Sequence, residues 1–336
     1  ALVVEIDVPE RGALDARIAE RYLEGKARLR AGWLEGNVRE VIDSLDQVLP
    51  DAPTDPRVLA TLAMALARSG FYGNAFDLSR ARQLADRALA VAPTFGEAQL
   101  ARAIIHFYDG ETPAAASMLR RTVTTVPGFA LAQGLLGSIM LEVGALEHAL
   151  AHLEAARSID PAAYASELAR AYVYLDRFDD AVALLSSVGA RALYVQTAIA
   201  RYKMWHGETY QITADVPDDL APGMADYMRV AKQLHETRRI TREQRASATA
   251  GMEQTHPRLR TARSQFVCEY LLFCGEPDLA LDAIKVGVDA GLLDHQWMQH
   301  CPLLAPLRSR PEFQPLAAIV AGRAQAVLDA VLAAET

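Results

Sequence analysis

Between Val143 and Pro161 the chain reads VGALEHALAHLEAARSIDP, with small apolar positions spaced for a helix. Ala149 and Ala156 fall on a buried side about two turns apart, while His148 and His152 fall on the outward side. Gly144 ahead of the run tolerates a tight turn, and Pro161 behind it stops the helix.

These marks recur. Gly144, Ala149, Ala156 and Pro161 stand at offsets 0, 5, 12 and 17, and Gly110, Ala115, Thr122 and Pro127 repeat those offsets 34 residues earlier. Gly36, Val41, Val48 and Pro53 repeat them again near the start. Ala81, Ala88 and Pro93 keep the last three offsets, but Gly70 stands six residues too early, which reads as an insertion, YGNAFD, in the turn. Downstream, Leu168, Tyr172, Phe178 and Ala181 continue the pattern with Asp176 in the glycine place. Gly207 closes a further first helix from about Arg191 to Trp205, and Gly275, Ala280 and Gly287 restore the spacing.

The period and residue types resemble the tetratricopeptide repeat, a helix-turn-helix unit of about 34 residues. The resemblance is strongest where Leu136 and Gly137 precede Ala149, Ala156 and Pro161. It implies an all-α fold, a right-handed superhelical solenoid of antiparallel helix pairs that bury a continuous core by stacking. The expected organisation is a linker or the end of a preceding domain at 1–17, repeats over 18–207, a divergent helical stretch at 208–256, and a further repeat at 257–290. A capping segment and final helix, from Pro315 to about Ala333, follow over 291–336. The opening at Ala1 reads as a fragment of a longer protein or as removal of the initiator Met.

In this family the first helix of each unit lines the concave surface. With each turn glycine counted as position 15, positions 2, 5, 9, 12 and 13 point inward. The resemblance thus implies a partner-binding groove containing Arg57, Arg68, Phe107, Tyr108, Arg170, Tyr174, Tyr194, Arg201 and Trp205. Aromatic and arginine side chains are over-represented at binding hot spots, and this set suits an acidic or carboxylate-bearing peptide with apolar anchors. Glu97 and Glu142 are alternative partners for two of the arginines. The asparagine-lysine pattern of family members that clamp a chaperone C-terminus is missing.

Composition agrees with helix and narrows the function. Hydrophobic residues make up 51% of the chain and aromatics 7%, a mix suited to close helix-on-helix packing. The formal net charge of −8 argues against wholesale nucleic-acid binding. Cys268, Cys274 and Cys301 are too few and too irregular for a disulfide framework, which favours a reducing cytoplasmic setting. No apolar run is expected to approach the roughly 20 residues of a membrane helix.

Four constellations carry residue types capable of chemistry. His148 and His152 have the spacing of a zinc-binding helix but lack the adjacent glutamate of a metalloprotease, Ala149 standing there. His295 and His300 diverge on a helix and Cys301, before Pro302, is biased toward extended backbone, so the three converge on a metal only if the segment folds as a loop around the ion. Asp215, Asp218 and Asp219 lack calcium-loop spacing. The segment 224–265 is locally basic, with few aromatics to stack on bases, and reads as a solvated face or a dock for an acidic partner. No catalytic constellation, cofactor site or metal site is expected.

The tail PLLAPLRSRPEFQPL resembles the closing segment of repeat regions attached to bacterial protein kinases, nucleotide cyclases and winged-helix regulators, through Pro302, Leu303, Leu304, Pro306, Leu307, Arg308, Pro311, Phe313 and Leu316. The expected function is therefore a non-catalytic protein-interaction module of a larger bacterial signalling or regulatory protein. The alternative is a ligand-sensing domain for a small anionic metabolite, and an enzyme with a helical active site comes last.

Overall fold

The computed structural model describes residues 15–30, 38–71, 78–161, 163–189, 192–216, 222–246 and 256–333. Gly36, the YGNAFD insertion, Asp218, Asp219 and nearly all of the expected linker at 1–17 lie outside them. Every regular element among the described residues is helical.

The helices are α1 (Ala16–Arg30), α2 (Val38–Val48), α3 (Pro56–Phe71), α4 (Leu78–Val91), α5 (Gly96–Tyr108), α6 (Thr112–Thr125), α7 (Ala130–Glu142), α8 (Leu146–Ile159), α9 (Ala165–Tyr174) and α10 (Phe178–Ser187). They continue as α11 (Leu193–Trp205), α12 (Pro222–Thr237), α13 (Arg242–Ala246), α14 (Pro257–Phe273), α15 (Pro277–Asp289), α16 (His295–His300), α17 (Ala305–Arg308) and α18 (Phe313–Ala333). The helices form two compact units that divide between Leu135 and Leu136, inside α7, and the last residues from Ala330 group with the first unit.

The turn position of the repeat has a recurring backbone geometry. Gly110, Gly144, Gly207 and Gly275 have φ of 82°, 89°, 75° and 80°, and Asp176, in the glycine place, has φ of 58°. Each sits just past a helix end, and the amide after it donates to a carbonyl five residues back: Glu111 to His106, Ala145 to Met140, Arg177 to Tyr172, Glu208 to Lys203 and Glu276 to Leu271. This closure satisfies the last carbonyls of a helix and requires a left-handed residue, which glycine adopts freely and aspartate tolerates.

Packing follows the small residues. Ala81, Ala88, Ala115, Ala149, Ala156, Ala181 and Ala280 on the second helices are fully buried. In the second unit, α9 to α11 share one core with α14 to α18, containing Val173, Leu185, Ile199, Cys268, Ile284, Trp297, Leu307 and Phe313. Trp297, Met298, Leu304, Leu307 and Phe313 are at most 2% exposed, so the tail is part of that core.

The stretch 208–256 contains α12 and α13 with no glycine-position turn between them. Arg238, with φ of 51°, ends α12 instead. The side chains of Ala231 and Leu234 pack with Met204 and Tyr270.

One expectation needs correcting. α18 is 21 residues long and apolar enough, by length and composition, to cross a membrane. Arg323 and Asp329 are its charged side chains. Its apolar character comes largely from alanine, which does not stand out as a hydrophobic run. Phe313, Ala317, Val320, Ala324 and Val327 are buried at helical spacing, the pattern of a helix lying on a protein core.

His235, on α12, is 1% exposed and lies between the rings of Tyr270 and Phe273, at centroid distances of 5.7 and 5.8 Å. Among the described residues neither ring nitrogen has a hydrogen-bond partner. Burial, with the Arg238 charge nearby, lowers its pKa to about 4. The unfolded chain takes up this proton near pH 6.5 and the folded chain only near pH 4, so stability is full above the first value and falls towards the second. The unfolding free energy from urea titration is expected to drop on moving from pH 7 to about pH 4, by at most about 3 kcal/mol from this group, and His235→Leu should flatten that part of the profile.

Candidate functional site

Four of the nine inner-face residues lie in the first unit. Asp55 precedes α3 and accepts from the backbone amide of Arg57 at 2.9 Å. The Arg57 guanidinium folds back onto the same carboxylate at 3.0 and 2.7 Å. Burial opposes the Asp55 charge, but the guanidinium outweighs it and holds the pKa below the ordinary value. Arg68 donates to the carbonyl of Leu29 at 2.6 Å, in the last turn of α1. Phe107 and Tyr108 are 8% and 2% exposed, with tilted rings 6.0 Å apart.

Glu97 pairs with Lys26 and accepts from the Tyr22 hydroxyl at 3.0 Å on each oxygen. Burial, then Glu97, raise the Tyr22 pKa far above its ordinary value. α1 and α5, first helices of repeats one and three, are thereby joined by a polar cluster whose charges cancel.

The other five lie in the second unit. Arg170 on α9 pairs with Asp294 at 2.8 Å, both nearly out of solvent. Burial opposes the Arg170 charge and Asp294 more than restores it. Asp294 also accepts from Gln265 at 2.9 Å and caps α16 through the Trp297 amide at 2.9 Å. Arg201 on α11 makes a two-pronged pair with Glu269 on α14, at 2.8 and 2.6 Å. Glu269 is fully buried and also accepts from the Trp297 indole at 2.7 Å.

The Tyr174 and Trp205 rings lie tilted with centroids 5.5 Å apart, and the Arg201 guanidinium lies 5.2 Å from the Trp205 ring. The Tyr174 hydroxyl and the Trp205 indole N–H are buried and meet no acceptor among the described residues. Burial, then Asp294, push the Tyr174 pKa well up. Tyr194 is half-buried against the core.

None of the nine is exposed. The structure brings Arg170, Tyr174, Arg201 and Trp205 together and keeps Arg57, Arg68, Phe107 and Tyr108 in the other unit. It also gives their counter-charges to the chain itself. Glu142, offered by the sequence as a partner for one of these arginines, is taken by Arg258.

Asp294, Glu269 and the Trp297 indole were missed as partners by sequence reasoning. One signal was present: with Gly275 counted as position 15, Gln265 and Glu269 fall at positions 5 and 9, so Glu269 occupies the repeat position held by Arg170 and Arg201. Asp294 carried only the mark of a helix cap.

The remaining candidates are dispersed. His148 is exposed and His152 half-buried. Cys268 and Cys301 are buried, and burial pushes their thiols well above the ordinary value. Among the described residues no three His, Cys, Asp or Glu side chains converge as a metal site.

No protein-family model matches the chain, and no curated protein does. Several solved structures are similar in part. Yeast Tom70 is 15% identical, covering 93% of this chain and 69% of its own, with a TM-score of 0.43. The C-terminal part of a TPR repeat-containing protein from Cytophaga hutchinsonii is 14% identical, covering 81% and 95%, with a TM-score of 0.35. MamA from Desulfovibrio magneticus, residue 41 to its end, is 22% identical, covering 52% and 95%, with a TM-score of 0.34.

Proposed function

We propose that this chain is a non-catalytic protein-interaction module of tetratricopeptide type. The observation that carries the reading is the turn after α5, α7, α9, α11 and α14, where one backbone geometry recurs at the position marked by glycine or aspartate. Stacked helix pairs of this kind present long surfaces at low cost in specialised chemistry. The tail resemblance supports a setting in a larger bacterial signalling or regulatory protein, and the few, irregularly spaced cysteines support a cytoplasmic one.

Of the expected inner-face residues, Arg57 in the first unit and Tyr174, Tyr194 and Arg201 in the second keep partial exposure and are the ones open to a protein or peptide partner of their unit, rather than Arg68, Phe107, Tyr108, Arg170 and Trp205. An acidic peptide there would compete with Asp55 and Glu269 for the arginines.

One observation favours the second reading, a sensor of a small anionic metabolite: two buried donors, on Tyr174 and Trp205, stand beside Arg201 and meet no acceptor among the described residues. Capture from the native cell, followed by calorimetry with the purified captured protein, should give saturable binding. A metabolite library should leave the melting temperature unmoved. A metabolite that raises it, with no protein bound, would establish the sensor instead.

A further inference from the structure

The inner-face arginines have partners within their own unit; just past the end of α12, among the described residues, Arg239 and Arg242 have no acidic partner. Between Met228 and Arg245 the chain carries Arg229, Lys232, Arg238, Arg239, Arg242 and Arg245 against Glu236 and Glu243, within a molecule of net charge −8. Lys232 is tied to the Ala214 carbonyl at 3.2 Å, and Arg245 pairs with Glu276. Arg238 donates to the Gly207 carbonyl and lies 4.5 Å over the Phe273 ring, contacts that anchor it without a carboxylate partner among the described residues. Arg239 and Arg242 are exposed, and among the described residues no carboxylate or carbonyl holds either guanidinium.

The backbone under them is fixed. Gln233 donates to the Arg239 carbonyl at 2.9 Å, and the Arg239 amide donates to the Thr237 hydroxyl at 3.2 Å. Thr241 and Gln244 cap one another, at 2.9 and 3.1 Å, and Gln244 donates to Gln233 at 2.6 Å. A turn held this way has little backbone entropy left to lose on binding. The guanidinium forks match carboxylates two bonds at a time.

We propose that the α12–α13 turn, through Arg239 and Arg242 with Arg238 beside them, is the docking surface for an acidic segment of a protein partner. The proposal rests on the reading of the chain as a protein-interaction module and adds the place and chemistry of contact. Charge complementarity selects the occupant. Single-stranded nucleic acid would need exposed rings for stacking, and Phe273 lies beneath Arg238.

The test uses a labelled peptide of alternating glutamate and alanine, with a glutamine-for-glutamate version and a single-stranded oligonucleotide as comparators, read by fluorescence anisotropy at low salt. The full chain should bind the glutamate peptide saturably and in preference to both comparators. Arg239→Glu with Arg242→Glu should weaken that binding about ten-fold or more, while Arg121→Glu, an exposed charge in the other unit, leaves it unchanged. Circular dichroism and melting temperature of the double variant should match the parent. Equal affinity of the double variant for the peptide, no saturable peptide binding, or tighter binding of the oligonucleotide would each overturn the proposal. If a partner captured from the cell binds the double variant undiminished, this surface falls and the interaction-module reading stands.

Discussion

Glu269→Ala is expected to destabilise the second unit by about 3–5 kcal/mol, because it strands a charge in the interior. Glu269 is fully buried and receives both prongs of Arg201 and the indole N–H of Trp297. Removing it leaves a guanidinium and an indole donor without the acceptor that justified their burial. Trp205 and Trp297, two of the chain's three tryptophans, flank the pair, so tryptophan emission during urea unfolding reports the loss directly. The double variant Arg201→Leu with Glu269→Leu should recover most of the deficit, since replacing both ends of a buried pair removes the stranded charge. A double variant as unstable as Glu269→Ala would mean that packing around the site, rather than the ion pair, sets the effect.

The same geometry bears on how partner binding can be tested. Arg201→Ala or Arg170→Ala strips the partner from Glu269 or Asp294, so weaker binding in either variant would mix lost contact with lost structure. Arg239 and Arg242 carry no such burden, and charge reversal there reads binding alone.

The repeat was legible because its marks are local. A left-handed turn admits few residue types, and Gly110, Gly144, Gly207 and Gly275 announce it, with Asp176 as the tolerated substitute. Buried alanines at fixed offsets mark the helix-to-helix approach. The state of the inner face was not legible, because its partners are distant in sequence: Arg170 meets a residue 124 positions away, and Arg201 one 68 positions away. A rule that points side chains inward says nothing of what the rest of the chain has placed there. Counting the repeat through Gly275 would have put Glu269 at the level of Arg201, and opposite charges at one repeat position are the sequence signal of self-pairing.

Gly137→Leu is expected to cost about 3 kcal/mol or more by forcing α7 and α8 apart. A Cβ at Gly137 would lie 2.8 Å from Leu153 Cγ and 3.1 Å from the Ala149 carbonyl oxygen. The second contact is with backbone, which no rotamer change relieves. Gly137→Ala is therefore destabilising by about 1–3 kcal/mol from overpacking, although alanine is the better helix former by about 1 kcal/mol. Leu153 is fully buried, and Leu153→Ala alone should cost about 2–5 kcal/mol as a cavity. Combined, the two alanines share the space, one filling part of what the other vacates. Their joint cost, from urea midpoints, should fall short of the sum by about 1 kcal/mol or more. Strict additivity would show that α7 and α8 do not meet at Gly137, and would remove the physical reason for a glycine in the middle of α7.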